Sequence, residues 1–191
     1  MLLNDKVSID YIKDQMSAER FQHSLSVAEN AGKLAVVHHV NVDDAKSAGL
    51  LHDLCREWPN ERILLFLDQK AIKVSTEKRK VPVLLHGLVA STIIKERFGI
   101  TDQNIINAVK NHTLGAKNMS ALEKIVFLAD TLASVAETDP VKYQLIFNAA
   151  VKSLEKGVSL TYELTAQYFK EKGLQPISEF FENWAANKTT N

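Results

Sequence analysis

Apolar residues recur at helical spacing along almost the whole chain, and strict apolar/polar alternation is hard to find over more than four positions. Helical faces repeat about every 3.6 residues and half-buried strands every two, so this pattern selects helices. Turns are scarce as well. The 191 residues include 7 Gly and 4 Pro, well under average usage of about 7% and about 5%, which leaves too few turn formers for an all-β fold. The expected fold class is all-α, a single bundle of about eight or nine helices. A chain of this length buries roughly 70% of its unfolded surface, and no repeat or linker divides it.

Start and stop signals place the helices. Ser17 caps one running to about His38, with Val27, Ala28, Ala31, Leu34 and Ala35 on one stripe together with His23. A second begins near Asp43 and carries Ala45, Ala48, Gly49 and His52, small residues that let a neighbouring backbone come close; Trp58-Pro59 marks its end. Glu61 to Lys70 is a short helix. The connector from Lys70 to Lys80 holds five basic residues and one acid, and its length predicts mobility. Beyond Pro82 a helix carries His86, Ala90, Ile93 and Ile94 to Phe98-Gly99. The next starts at Thr101 or Asp102 and sets Ile105, Ala108, Val109 and His112 on one face. Ser120 to Glu123 spells a capping box before a helix with Leu122, Val126, Ala129, Asp130 and Ala133 on its stripe. Asp139-Pro140 opens a helix or helix pair to about Lys172, and a short helix spans Ser178 to Ala186.

Charge and cysteine content narrow the function classes. Lys plus Arg and Asp plus Glu stand at 23 each, so no global field calls for nucleic acid or a membrane surface as partner. The single cysteine, Cys55, forms no internal disulfide and reads as packing in a reducing compartment. No secretory h-region follows Asp5, and apolar runs such as Ile63 to Leu67 are far short of the roughly 20 residues of a membrane helix. A cytoplasmic protein is expected.

Four of the six histidines fall on apolar stripes of four different helices, and one is followed directly by an acid: His23, His52-Asp53, His86 and His112. Asp130 lies on a fifth stripe. One histidine on such a stripe is ordinarily a satisfied core residue, but a buried ionised carboxylate is costly unless paired or bound to a metal. Packed together, the five helices bring four imidazoles and two carboxylates to one place, a donor set suited to a borderline transition metal.

The order His, His-Asp, His, His, Asp resembles the HD phosphohydrolase superfamily. The flanks Phe21-Gln22-His23-Ser24-Leu25, Gly49-Leu50-Leu51-His52-Asp53, Leu85-His86-Gly87, Asn111-His112-Thr113 and Leu128-Ala129-Asp130 are similar to its YqeK-type branch, from about Ser17 to Trp184. That resemblance implies a single HD domain over 1–191, with a metal core at about 17–137 and C-terminal helices at about 139–187. It implies a metal-dependent hydrolase that splits diadenosine tetraphosphate symmetrically into two ADP. The implied cofactor is iron, as one or two ions, with manganese, zinc or another divalent metal as alternatives. His23, His52, Asp53 and Asp130 match the principal metal site. His86 and His112 either hold a second ion bridged by Asp53 or contact substrate phosphate. Asp53 and Arg56 match catalytic positions, Arg56 standing where the family usually has lysine and being able to neutralise phosphate charge. Thr113 offers a hydroxyl to phosphate. The expected partner is a small-molecule nucleotide, with no nucleic acid and no membrane; a homodimer is left open.

One departure matters. The family commonly carries an arginine just beyond the Ala-Asp pair, where this chain has Ala136. The alternatives are therefore an HD phosphohydrolase acting on another nucleotide or phosphate ester, and a non-catalytic nucleotide-binding module that keeps its metal. His38 and His39, near a helix end, read as surface residues, and Trp58 and Trp184 as core or rim aromatics.

Overall fold

The computed structural model describes residues 6–188. Among them there are eleven α-helices and one short 3₁₀ turn, with no strand. In chain order these are α1 (Lys6–Asp14), α2 (Ala18–Val37), α3 (Val42–Leu51), α4 (Asn60–Gln69), α5 (Thr76–Arg79), the 3₁₀ turn Pro82–Leu85, α6 (His86–Phe98), α7 (Gln103–Asn111), α8 (Ala121–Val135), α9 (Pro140–Lys152), α10 (Leu154–Lys172) and α11 (Ser178–Ala186). The all-α expectation holds. The count exceeds eight or nine because α1 and α5 were not legible as helices and the C-terminal pair is broken at Ser153, whose hydroxyl caps α10.

Capping chemistry sets most boundaries where the sequence puts them. The Ser17 hydroxyl accepts from the Arg20 N–H and starts α2, and Asn41 does the same for α3. Ser120 and Glu123 form the reciprocal capping box of α8. Gly99, at φ 63°, ends α6 in the left-handed conformation that glycine adopts without strain. The second helix, however, stops at Leu51 rather than near Trp58, and His52 to Glu57 form a run of turns. The connector from Lys70 to Lys80 is pinned instead of free. Arg79 makes a two-pronged pair with Asp68 at 2.8 and 3.0 Å, Lys78 pairs with Glu179 of α11 at 2.6 Å, and Glu77 accepts from Ser178.

The core forms where α2 crosses α3 and α8, with α7 closing over α3 and α8 and carrying α6 on its outer side. Val27, Ala31, Leu34 and Ala35 of α2 meet Ala45, Ala48 and Leu51 of α3 and Val126, Ala129 and Leu132 of α8, all buried. Glycines permit close backbone approach at two of these crossings. A Cβ on Gly49 would lie 2.9 Å from the Ala28 Cα, and one on Gly87 would lie 2.9 Å from the carbonyls of Val109 and Lys110. The α2–α3 and α6–α7 contacts therefore run backbone against backbone. The helices α9 and α10 pack on each other and on α8, and Tyr162 of α10 and Asn183 of α11 bind the Leu114 carbonyl in the loop after α7.

Candidate metal centre

Three of the histidines sit at helix ends, where backbone carbonyls lack helical partners. His52 and His112 cap the C-termini of α3 and α7, and His86 follows the 3₁₀ turn. Each ring uses Nδ1 on the carbonyl three residues back: His52 on Gly49 at 2.6 Å, His86 on Val83 at 2.6 Å and His112 on Val109 at 2.8 Å. A carbonyl only accepts, so Nδ1 carries the proton in all three and every Nε2 is aimed, as a lone pair when neutral, into one space.

The Asp53 carboxylate divides that space. Its Oδ1 lies 3.0 Å from His86 Nε2 and 3.6 Å from His112 Nε2. Its Oδ2 lies 3.3 Å from His52 Nε2 and 3.8 Å from His23 Nε2. Asp130, from α8, completes the second side, with Oδ1 at 3.0 Å from His23 and 3.6 Å from His52. All six residues singled out in the sequence as metal donors thus come together. Thr113 joins them, its hydroxyl 3.0 Å from His112 Nε2. The Arg56 side chain is half-buried and makes no ion pair or side-chain hydrogen bond among the described residues.

Two observations show that the donor set fits a cation. The Nε2 of His52 is fully buried with no hydrogen-bond partner among the described residues. The Nε2 atoms of His86 and His112 face one another at 2.9 Å although both rings already donate through Nδ1. Two neutral imidazoles in that pose oppose their lone pairs, and a positive charge between them relieves the clash. Ligands about 2.1 Å from one ion and at right angles to it are separated by roughly 3 Å, which matches this spacing.

Electrostatics agree. Burial opposes charge on His52, but the Asp53 and Asp130 carboxylates outweigh it and push its pKa up to about 10 without an ion. Burial works against ionised Asp53 too, yet the positive charge of His52 outweighs it and holds the carboxyl well below the ordinary range. His112 moves down, chiefly through burial, which keeps its ring neutral and fit for ligation. The Cys55 thiol is buried and pushed up to about 12, so it packs rather than reacts.

Packing fixes the approach to this centre. His52, Asp53, His86 and His112 are buried, whereas the side chains of His23 and Asp130 keep 16% and 28% exposure. His23 forms part of the wall of a cleft of about 610 Å³ whose other residues include Glu19, Gln22, Ser26, Ala133 and Ala136. His38, expected at the surface, is instead half-buried and bonds through Nε2 to the Ala150 carbonyl at 2.7 Å. Trp58 is half-buried as expected, with the Arg62 guanidinium stacked 3.5 Å from its ring centre.

A further contributor lies outside the histidine and aspartate pattern. Arg20 lies one helical turn before His23, and its NH1 donates to Asp53 Oδ2 at 2.9 Å. The spacing of three residues on a helix was the available signal.

The HD-domain family profile matches residues 20–134, a span running from Arg20 to just past Asp130 and holding every donor. The chain belongs to the HD-domain family. A solved HD superfamily hydrolase of Clostridium acetobutylicum, described as involved in NAD metabolism, superposes with a TM-score of 0.86 at 30% identity over 93% of each chain. A Mycoplasma genitalium protein named probable nicotinate-nucleotide adenylyltransferase/Ap4A hydrolase is 30% identical over 84% of this HD chain and 45% of its own length. A Staphylococcus aureus protein named symmetrical bis(5′-nucleosyl)-tetraphosphatase is 32% identical over 62% of this chain and 60% of its own. The HD chain thus spans about half the length of the first of these relatives and three fifths of the second.

Proposed function

We propose that the chain is a metal-dependent phosphohydrolase that cuts diadenosine tetraphosphate at its central bridge to give two ADP. The observation that carries this reading is the Asp53 carboxylate, which presents one oxygen to His86 and His112 and the other to His23 and His52. The names of relatives point to the substrate class. His23, His52, Asp53 and Asp130 would hold one ion and Asp53, His86 and His112 a second, with iron the preferred metal and manganese, zinc or another divalent ion as alternatives. A bound ion lowers the pKa of water toward neutrality and polarises a phosphoryl oxygen.

The chain's own residues do the rest. Partly exposed His23 and Asp130 leave the centre open on the cleft side, so a phosphate group reaches it from there. The Thr113 hydroxyl stands at the His86–His112 side and can donate to a phosphate oxygen. Water adds its oxygen to one of the two central phosphorus atoms and releases a proton to solvent, the bridging P–O bond breaks, and both halves leave as ADP. In this reading the chain is a single HD domain, and the C-terminal helices support the metal core.

Chromatography of an early time point with metal-loaded protein tests this. ADP as the only product is expected, and equal ATP and AMP would reject symmetric cleavage. One observation favours a second reading, a shorter phosphate ester: among the described residues the cleft lining includes Glu19, Glu29 and Glu137 but no lysine or arginine, and position 136 is alanine. Turnover of a nucleoside monophosphate with none of the tetraphosphate would decide for it. Nucleotide binding without any turnover would mark a non-catalytic module.

A further inference from the structure

The start of α2 is fastened to the turns that carry Asp53 at two points. Ser17 donates to Glu57 through its N–H at 2.6 Å and its hydroxyl at 2.8 Å. One turn on, Arg20 NH1 donates to Asp53 Oδ2 at 2.9 Å, from a side chain 30% exposed to an acid only 4% exposed. Among the described residues no other lysine or arginine pairs with a carboxylate of the cluster. The oxygen it takes is the one that faces His23 and His52. Rotation of the carboxylate about its Cβ–Cγ bond would turn both oxygens away from their histidines, and none of the four rings covalently opposes that rotation.

We propose that Arg20 is a positioning residue of the centre, holding the Asp53 carboxylate turned so that one oxygen serves each half of the donor set. The inference rests on the metal-centre reading above. Arg20 also competes with an ion for Oδ2 and repels it, so the sign of its effect is informative. Hydrogen-bonded partners that orient a ligating carboxylate raise metal affinity by about 10–100-fold, and the buried, fixed geometry here makes orientation the larger effect.

The test is calorimetric titration of Mn²⁺ into the chelator-stripped 191-residue chain, for the parent, Arg20→Met and Arg20→Gln, with circular dichroism reporting helix content. Arg20→Met, which keeps the stem but no donor, should bind Mn²⁺ about tenfold or more weakly. Arg20→Gln, which keeps an N–H donor without the charge, should recover most of that loss. With bis(p-nitrophenyl) phosphate as a small substrate, kcat should fall for Arg20→Met while KM stays within about twofold. Unchanged or tighter Mn²⁺ binding by Arg20→Met overturns the proposal, as does a raised KM at unchanged metal affinity, which would mean that Arg20 grips phosphate instead. A parent that binds no Mn²⁺ overturns the metal-centre reading itself.

Discussion

Protonation of His52 links the centre to stability. Its folded pKa of about 10 without an ion lies above the unfolded value of about 6.5, so its stabilising effect is complete below about pH 6.5 and is lost as pH rises toward the folded value. Asp53 has the opposite sign. Its folded pKa is depressed, so its contribution is present above about pH 4 and disappears as pH falls further. Urea unfolding in chelator should therefore show stability declining from pH 6 to pH 9. With metal the slope should reverse, because His52 must release its proton to ligate. A second residue-scale prediction concerns Ala136, which lies at the end of α8 and lines the cleft beside His23. A guanidinium there adds charge-assisted hydrogen bonds to phosphate, and Ala136→Arg should raise kcat/KM on the dinucleoside tetraphosphate about tenfold. Ala136→Gln should gain much less, as steady-state kinetics at matched metal content would show.

At the scale of elements, the glycine crossings hold the histidines together. Gly49→Ala places a methyl group 2.9 Å from the Ala28 backbone, in a contact with no flexible side chain to yield. Overpacking of this kind costs about 1–3 kcal/mol, so Tm should fall roughly 2–4 °C per kcal/mol lost, and Mn²⁺ affinity should drop as α3 moves off α2. The small-residue stripe of α3 and all six metal-donor candidates were legible in the sequence, because periodicity and caps are local signals. What stayed hidden depended on tertiary partners. No local pattern shows that His52, His86 and His112 occupy helix ends and spend Nδ1 on backbone carbonyls. Nor does any show that Arg79 and Lys78 tie down a connector whose length alone suggested mobility. The helix carrying His52 was expected to reach Trp58 because the proline there is a strong stop, yet the chain leaves the helix at Leu51 and turns Asp53 into the cluster.

For the whole molecule, the C-terminal helices act on the centre from outside it. Asn183 of α11 donates to the Leu114 and Gly115 carbonyls at 3.1 Å each, and Tyr162 of α10 to Leu114 at 2.8 Å. This anchors the loop that follows Thr113, while His112 is held separately by the Asn111–Glu123 bond between α7 and α8 at 2.6 Å. Asn183→Ala should therefore lower kcat and stability, the latter by about 1–3 kcal/mol for the unmet Gly115 carbonyl, with Mn²⁺ affinity little changed. If one carboxylate joins two sets of histidines into a metal centre, elemental analysis of the purified chain beside Asp53→Ala will show it. One or two transition-metal ions per parent chain are expected, with loss of both metal and turnover in an Asp53→Ala protein that keeps its helix content. An Asp53→Ala protein with full metal content and normal turnover would contradict it.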